Sequence, residues 1–426
     1  MSAFAIYRLP HSDEVVMVEQ TDGDAEQLTT ISSLNGREGY VVAPFVNSET
    51  APLLLIRPDR VECYTDLSLL QSRIQPVMTH LHGVGTSAAT SMSSPTKETY
   101  AIDFANFHSQ LVSGAFRKIV LARRADVTTT HSPLDLQGRL PKQELSALIR
   151  LFCQACKRYP RMFVSLVATR QSGVWLTATP EVLLESEGGH WHTVALAGTM
   201  RLEGQQLLSE GEHLMWSTKN IQEQRYVSTY ITKCLEQFST GFHEEGPYTV
   251  RAANLVHLRS DFTFSLPDDS HLGDVLSILH PTPAVCGLPK AATLQFISTN
   301  EHSSRLYYSG FMGPLRLSLT PLPSTLNSQL SARPPETLDQ ARTLNSPLDP
   351  QRRLPKQEQD ACPSKNSKHS TTHLYVSLRC MNIEPTVCHL FAGGGIMPGS
   401  TLEQEWQETE AKLDTMLSLL NHKEDV

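Results

Sequence analysis

The segment FAGGGIMPGSTLEQEWQETEAK, residues 391–412, passes from a short apolar run through three glycines into a charged pattern of helical spacing. Glycines let the backbone approach a ligand closely, and the N–H groups of Gly393, Gly394 and Gly395 can receive a carboxylate. The segment is not a nucleotide-binding loop, because the spacings G-x-G-x-x-G and G-x-x-x-x-G-K-[ST] are both absent from it. It predicts a strand, a glycine turn that can contact a ligand, and a helix.

Acidic residues follow the glycine run and recur on an earlier helical segment. Glu405 and Glu408 are three residues apart and Lys412 follows four residues later, so all three share one helix face. Lys219 and Glu223 in KNIQEQ repeat the four-residue spacing. Periodicity alone favours solvated salt-bridge faces. Combined with the glycine run, two acidic helices indicate a Mg²⁺ site, because oxygen ligands commonly hold this ion with water positions left open.

Composition and charge limit the class of protein. The chain has 426 residues and a formal net charge of -8, which disfavours nucleic acid and anionic membrane surfaces as partners. Its longest apolar runs, such as 51–56, are far too short to cross a bilayer. Arg8 and Pro10 interrupt the apolar stretch that a secretory signal needs. We therefore expect a globular, cytoplasmic, monomeric protein without nucleic-acid or membrane partners.

The cysteines give no sign of a metal or redox site. Of eight cysteines, only Cys153 and Cys156 have the C-x-x-C spacing, and they lie inside the helical pattern QELSALIRLFCQACKRYP. A zinc site would need a second pair, which the sequence lacks. Two helix residues one turn apart are the favoured interpretation.

Strand and helix patterns divide the chain into parts. Residues 1–85 are rich in short strands, and residues 100–420 combine strand-like and helical patterns. One long helix is expected over 205–238, with a possible break at Gly211.

A low-complexity segment interrupts these patterns. Residues 315–372 contain few apolar residues and many Pro, Ser and Gln, which is typical of a mobile insertion within a strand connection. This insertion also repeats an earlier segment, since SPLDLQGRLPKQE at 132–144 returns as SPLDPQRRLPKQE at 346–358. Two copies do not make a repeat architecture, and the duplication has no assigned function.

Nine motifs in a fixed order identify a family resemblance. They are KIVLAR (118–123), TATPEVLL (177–184), ALAGTMR (195–201), KNIQEQ (219–224), LVHL (255–258), LHPTPAVCGLPK (279–290), YYSGFMGPL (307–315), LYVSLR (374–379) and the segment 391–412. Together they resemble the chorismate-utilising enzymes, and most closely the isochorismate synthases among them. The first hundred residues and the insertion carry almost none of this resemblance.

The resemblance implies both a fold and an activity. The implied fold is of the α/β (α+β) class, a single domain with large, mainly antiparallel sheets flanked by helices, in which residues 100–420 form the catalytic region. The implied activity is that of an isomerase, which converts chorismate to isochorismate with Mg²⁺ by adding water at ring carbon C2 and releasing the C4 hydroxyl.

The same resemblance assigns an acid and a base. Lys118, on a buried strand, would be the general base that activates water, since burial lowers the pKa of a lysine. Glu181 would be the general acid that protonates the departing hydroxyl from the opposite side. Without the resemblance, Lys118 reads as a lysine at a strand end and Glu181 as a turn carboxylate after Pro180.

Binding residues are implied in the same way. Glu223 and Glu408 resemble the magnesium ligands, with Glu405 adjacent or acting through water, and Lys412 balances their charge. The substrate would be held by the backbone of Gly198 and Thr199, by Arg379 through its planar fork, by the N–H groups around Gly394 and Gly395, and by His257 along the ring. His257 is a lone histidine at a strand end, where a structural role is as common as a functional one.

Related activities are the alternatives. Amination is disfavoured, because anthranilate synthases usually have an uncharged residue where Lys118 stands, and aminodeoxychorismate synthases that use a covalent lysine place it where Ala197 stands. Salicylate synthase, which also eliminates pyruvate from isochorismate, is the nearest rival. A non-catalytic relative that binds chorismate-like anions is the other. A stand-alone menaquinone enzyme is expected over a siderophore enzyme, since no fused partner domain is visible.

Overall fold

The fold is known from a computed structural model that describes residues 3–65, 70, 96–128, 142–187, 189–201, 214–252, 255–318 and 370–420. In chain order its strands are β1 (Ala3–Arg8), β2 (Val15–Gln20), β3 (Glu26–Leu28), β4 (Gly39–Ala43), β5 (Leu53–Ile56), β6 (Arg60–Tyr64), β7 (Lys118–Thr128), β8 (Phe163–Thr169), β9 (Gly173–Thr179), β10 (Val182–Glu187), β11 (His190–Arg201), β12 (Phe242–Ala252), β13 (Leu255–Phe264), β14 (Gly287–Leu288), β15 (Phe311–Leu315), β16 (Leu317–Ser318), β17 (Ser370–Val376), β18 (Cys380–Ile383) and β19 (Val387–Ile396). The helices are α1 (Lys97–Val112), α2 (Lys142–Arg158), α3 (Thr218–Phe238), α4 (Leu272–Leu279), α5 (Lys290–Asn300) and α6 (Leu402–Leu420).

The described strands form two antiparallel sheets. The first sheet has the order β14-β7-β19-β18-β9-β8-β1-β2-β6, and the second has the order β12-β13-β11-β10-β17-β15-β4-β5-β3 with β16 beside β17. All their pairings are antiparallel. The N-terminal strands contribute to both sheets, since β1, β2 and β6 belong to the first and β3, β4 and β5 to the second.

The two sheets stack face to face between layers of helices, because successive apolar residues of a strand point to opposite faces of its sheet. On β1, Phe4 and Ile6 belong to the core beneath α2 and α6. Ala3, Ala5 and Tyr7 alternate with them and pack in the core that the two sheets share. Helices α3 and α4 cover the other face of the second sheet. Each large apolar side chain buried in these layers contributes about 2 kcal/mol, so the layers hold their positions firmly.

Two adjacent crossings connect the sheets. The chain leaves the first sheet at the end of β9, passes through Pro180 and Glu181, and enters the second sheet at β10. It returns from β17 to β18 through 377–379. Backbone hydrogen bonds fasten the crossings to each other, with Ala178 N donating to Arg379 O (3.1 Å) and Val376 N donating to Glu181 O (2.9 Å). Glu181 and Arg379 therefore lie side by side at the junction of the sheets.

Two expected boundaries were wrong. The helix expected over 205–238 begins at Thr218, because the Ser217 side chain accepts a hydrogen bond from Asn220 N and caps it. Residues 202–213 lie outside the described part. The insertion expected over 315–372 is narrower, since β15, β16 and β17 occupy its ends. Its remainder, 319–369, is outside the described residues, as are both duplicated segments apart from 142–144.

Other expectations from the sequence can be compared with the described residues. Cys153 and Cys156 are buried on α2 within an apolar core, as two residues of one helix. No helix in the described part of the chain is long and apolar enough to cross a membrane.

Candidate active site

A polar cavity opens where the two sheets meet, and it includes about 610 Å³ of empty space, counting its mouth. Its walls come from the crossings, from the glycine run on β19, from bulged strand β11, and from helices α3 and α6. Nine of the residues expected to act in the site line it: Glu181, Gly198, Thr199, Glu223, His257, Arg379, Gly395, Glu408 and Lys412. The other three expected residues do not line the cavity but lie next to residues that do. Lys118 is beside Glu223, and Gly394 and Glu405 are beside Glu408.

Lys118 is the first residue of β7 and its side chain is fully buried, with 0% exposure. Its Nζ lies 3.0 Å from Glu223 Oε1 on α3. Both groups lie against Gly395, where an added Cβ would be 2.0 Å from Glu223 Oε1 and 2.9 Å from Lys118 Cε. Only glycine leaves room for this lysine and carboxylate to meet.

Glu181 is the buried acid of the site. Burial raises its pKa to about 7, although the positive charges of Lys118, Arg379 and Lys412 oppose the shift. A carboxyl group with this pKa is protonated in a large fraction of molecules near neutral pH, so it can donate a proton. The influence of Lys118 on Glu181 also shows that the two groups belong to the same site.

Two more carboxylates come from the first turns of α6. Glu405 accepts hydrogen bonds from Lys219 Nζ and from Ser400 Oγ (2.6 Å). Glu408 pairs with Lys412 Nζ at 2.6 Å, and the same ammonium donates to Gly393 O at 2.8 Å. The solvated helix face that periodicity alone favoured was wrong, because the Glu405 side chain has 0% exposure.

This group of carboxylates fits a hard cation in its chemistry. Burial and repulsion by Glu408 raise the pKa of Glu405 to about 7, and its buried Oε2 has no hydrogen-bond partner. Lys219 lies among all three carboxylates, since Glu405, Glu408 and Glu223 each raise its pKa against the effect of burial. In the described part of the chain, no group of three or more acidic, His or Cys side chains lies close enough together to hold a metal ion as placed. Each carboxylate is paired with a lysine instead.

Arg379 and His257 form a hydrogen-bonded pair on the wall of the cavity. Arg379 Nη2 donates to His257 Nε2 at 2.9 Å, so the imidazole carries its proton on Nδ1, which lies 3.3 Å from Thr199 Oγ1. Burial and the charges of Arg379 and Lys412 hold the pKa of His257 well below its usual range. The buried Nη1 of Arg379 has no partner, which leaves one arm of the planar fork free for a carboxylate.

Some neighbours of the site had not been expected from the sequence. Ser400 holds Glu405 and caps the turn by accepting from Met397 N at 3.0 Å. Tyr308 lines the cavity beside Gly393, where an added Cβ would lie 2.7 Å from its hydroxyl. Ser400 lies in the segment 391–412 and Tyr308 in the motif YYSGFMGPL. Nothing in their local spacing distinguishes them from ordinary turn residues.

Fold and cavity together define the class of protein, an α+β protein of two large antiparallel sheets flanked by helices, with a buried charged cavity at their junction. The sequence profile of the family described as chorismate binding enzyme matches residues 65–318 and 366–421, which is more than half of the chain. The chain therefore belongs to the chorismate binding enzyme family. The resemblance found in the motifs is confirmed at this level.

Individual relatives agree with this family. The isochorismate synthase EntC of Escherichia coli is 27% identical over 305 residues, which cover 71% of this chain and 62% of the relative. The matched region thus spans about 62% of the length of that relative. The salicylate biosynthesis isochorismate synthase of Pseudomonas aeruginosa is 30% identical over 250 residues, covering 58% of this chain and 49% of that relative.

The solved structures confirm the fold. The menaquinone-specific isochorismate synthase MenF of Escherichia coli superposes with a TM-score of 0.67 at 21% identity, over 98% of this chain and 89% of that chain. The expected α/β (α+β) fold, with large antiparallel sheets flanked by helices, is therefore confirmed.

Proposed function

We propose that the chain is an isochorismate synthase, an isomerase that converts chorismate to isochorismate. One observation carries the proposal: a buried lysine and a buried carboxyl group with a pKa of about 7 meet around one polar cavity. Such a pair suits the simultaneous removal and delivery of a proton. The relatives named as isochorismate synthases support the same choice.

In the proposed reaction, Lys118 accepts a proton from a water molecule that attacks ring carbon C2. The ring double bonds shift, the bond from C4 to its hydroxyl breaks, and Glu181 delivers the proton with which this hydroxyl leaves as water. One water enters and one leaves, so the substrate and product are isomers. The burial of Lys118 and Glu181 excludes bulk water that would compete for these protons.

The carboxylates of the substrate need positive partners in a chain whose net charge is -8. Arg379 has a free guanidinium arm for the enolpyruvyl carboxylate, assisted by the N–H groups of Gly394 and Gly395. The ring carboxylate would lie near Gly198 and Thr199, and His257 would line the ring.

Mg²⁺ is part of the proposal. Glu223 and Glu408 would hold the ion, with Glu405 adjacent or acting through a water. The bound ion would neutralise the ring carboxylate together with the surrounding acids. Support comes from the donor set itself, because three carboxylates surround Lys219 and Glu405 Oε2 has no hydrogen-bond partner.

The test is to incubate purified chain with chorismate and Mg²⁺ and to separate the products by chromatography. Isochorismate without salicylate is the expected result. Salicylate with equimolar pyruvate would replace the proposal with salicylate synthase. Binding of chorismate without turnover would replace it with a non-catalytic relative.

The pathway served by the product is a finer proposal. We keep menaquinone formation as the expectation from the sequence. The relatives include proteins named for menaquinone and for vibriobactin, so similarity alone favours neither role. Deleting the gene and supplying menaquinone or a catechol siderophore separately would decide between them, since only the missing product restores growth.

A further inference from the structure

The edge of the strand that carries Lys118 is incompletely covered by other strands. Strand β7 pairs along its length with β19 on one side, but on the other side β14 pairs only with Lys118 and Ile119. Beyond these two residues, Val120 N donates to Cys286 O at 2.7 Å. Buried backbone groups further along this edge need partners of another kind.

A buried ion pair supplies those partners. Arg305 Nη2 donates to Val120 O at 2.9 Å, and Arg305 Nη1 donates to Val285 O at 2.7 Å. Glu301 Oε1 accepts from Ala122 N at 2.7 Å and is also bound by Arg305. The side chains of Arg305 and Glu301 are 3% and 2% exposed, respectively. They therefore continue the hydrogen-bonded ladder of β7 where β14 ends.

The same pair connects two walls of the cavity. Val120 and Val285 both line it, and Lys118 precedes Val120 by two residues on the same strand. Arg305 joins the carbonyls of Val120 and Val285 directly, so it fixes the distance between the strand of the lysine and the loop that faces it.

We infer that Glu301 and Arg305 are positioning residues, which take the place of an edge strand and hold Lys118 and the cavity wall at the distance that turnover requires. The inference rests on the proposed function for its catalytic part. Its structural part, the fastening of β7 to the 284–286 loop, stands on the hydrogen bonds alone.

A merely structural role makes a different prediction, and Arg8 provides the matched control. Arg8 is also a buried arginine, 5% exposed, and it donates to the carbonyls of Tyr159, Pro160 and Met162. None of these residues lines the cavity. Arg8→Met and Arg305→Met therefore both remove a guanidinium from buried carbonyls. Only the carbonyls bound by Arg305 belong to residues that line the cavity.

The experiment compares Arg8→Met, Arg305→Met, Arg305→Lys and the double variant Glu301→Gln/Arg305→Met, which leaves no unpaired buried charge and protects against failure to fold. Turnover of chorismate with Mg²⁺ gives kcat and KM, and hydrogen exchange measured by mass spectrometry reports on residues 117–123. All assays are run well below each variant's thermal midpoint.

We expect kcat to fall about ten- to a hundredfold in the double variant, because small displacements of a catalytic group have effects of this size. KM should change less than threefold, and exchange at residues 117–123 should rise. Arg305→Lys should restore part of kcat, since its ammonium keeps the positive charge and can donate to one of the two carbonyls. Arg8→Met should lower the thermal midpoint with kcat unchanged.

A folded double variant with kcat within twofold of wild type would overturn the inference, and so would unchanged exchange at 117–123. An equal loss of kcat in Arg8→Met would reduce the pair to ordinary core residues. If wild type itself does not turn over chorismate, the proposed function fails, and exchange at 117–123 still decides the positioning role.

Discussion

The cavity and a second charged cluster, around His192, satisfy their buried charges in different ways. His192 Nδ1 lies 2.7 Å from Glu185 and its Nε2 lies 2.6 Å from Asp261, which also binds Arg259. Although burial opposes it, these hydrogen bonds hold the pKa values of Glu185 and Asp261 below their usual range. This cluster is balanced within the protein.

The cavity lacks that balance. Burial raises the pKa values of Glu181 and Glu405 to about 7, and buried side-chain atoms of Arg379 and Glu405 have no hydrogen-bond partner. Leaving buried polar groups incompletely bonded costs stability, and such groups concentrate at functional sites. The comparison distinguishes a cluster that stabilises the fold from one whose remaining partners would be a ligand and an ion.

The largest expected effect is on turnover. Lys118→Ala and Glu181→Gln should each lower kcat about 10²- to 10⁴-fold, because each removes one partner of a proton transfer. Circular dichroism should show that both variants remain folded. His192→Gln is the matched control from the other cluster and should keep kcat. A normal rate in either site variant would remove that residue from the mechanism.

Removal of metal should affect the cavity alone. A chelator should stop turnover and added Mg²⁺ should restore it, in wild type and in His192→Gln alike. Glu408→Gln should raise the Mg²⁺ concentration for half-maximal rate about ten- to a hundredfold. Glu403→Gln, on the exposed side of the same helix, is the control. Equal Mg²⁺ dependence in both variants would contradict the assignment of Glu408.

The pH dependence of turnover should follow Glu181. The pKa of this carboxyl is about 7, and a general acid acts only when protonated. The value of kcat/KM should therefore fall as pH rises above 7, approaching tenfold per unit. Initial rates between pH 6 and 9 measure this. A rate that stays constant up to pH 9 would argue against Glu181 as the acid.

The smallest expected effect is on stability and belongs to the His192 cluster. Burial opposes the shift, but hydrogen bonds to Asp261 and Glu185 raise the pKa of His192 to about 9. Below the unfolded pKa of about 6.5 both states are protonated and the stabilisation is complete. As pH rises to 9, about 2 kcal/mol of the free energy of unfolding should be lost, allowing for partial exposure.

Urea unfolding of wild type and His192→Gln at pH 6 and pH 9 measures this loss. At pH 6 the variant should have a smaller free energy of unfolding than wild type. Between pH 6 and pH 9 this free energy should change little in the variant. If the wild-type and variant curves shift equally with pH, another group causes the effect.

Local patterns in the sequence determined much of the secondary structure. The strands near 3–8, 15–20 and 118–128 and the helix from Leu402 follow from apolar spacing and β-branched content. The start of α3 was placed too early, because the side-chain cap at Ser217 outweighed the helical spacing of the preceding residues.

The sequence by itself determined which residue types are present and, through its ordered motifs, the family and the expected site. Tertiary structure alone decided their partners: Lys118 with Glu223, Lys219 with Glu405, and the Glu301 and Arg305 pair with the edge of β7. Helical spacing favoured a solvated face for Glu405, yet the residue is buried. The physical reason is that these contacts depend on sheet register and on where the chain crosses between sheets, which spacing along a single segment does not encode.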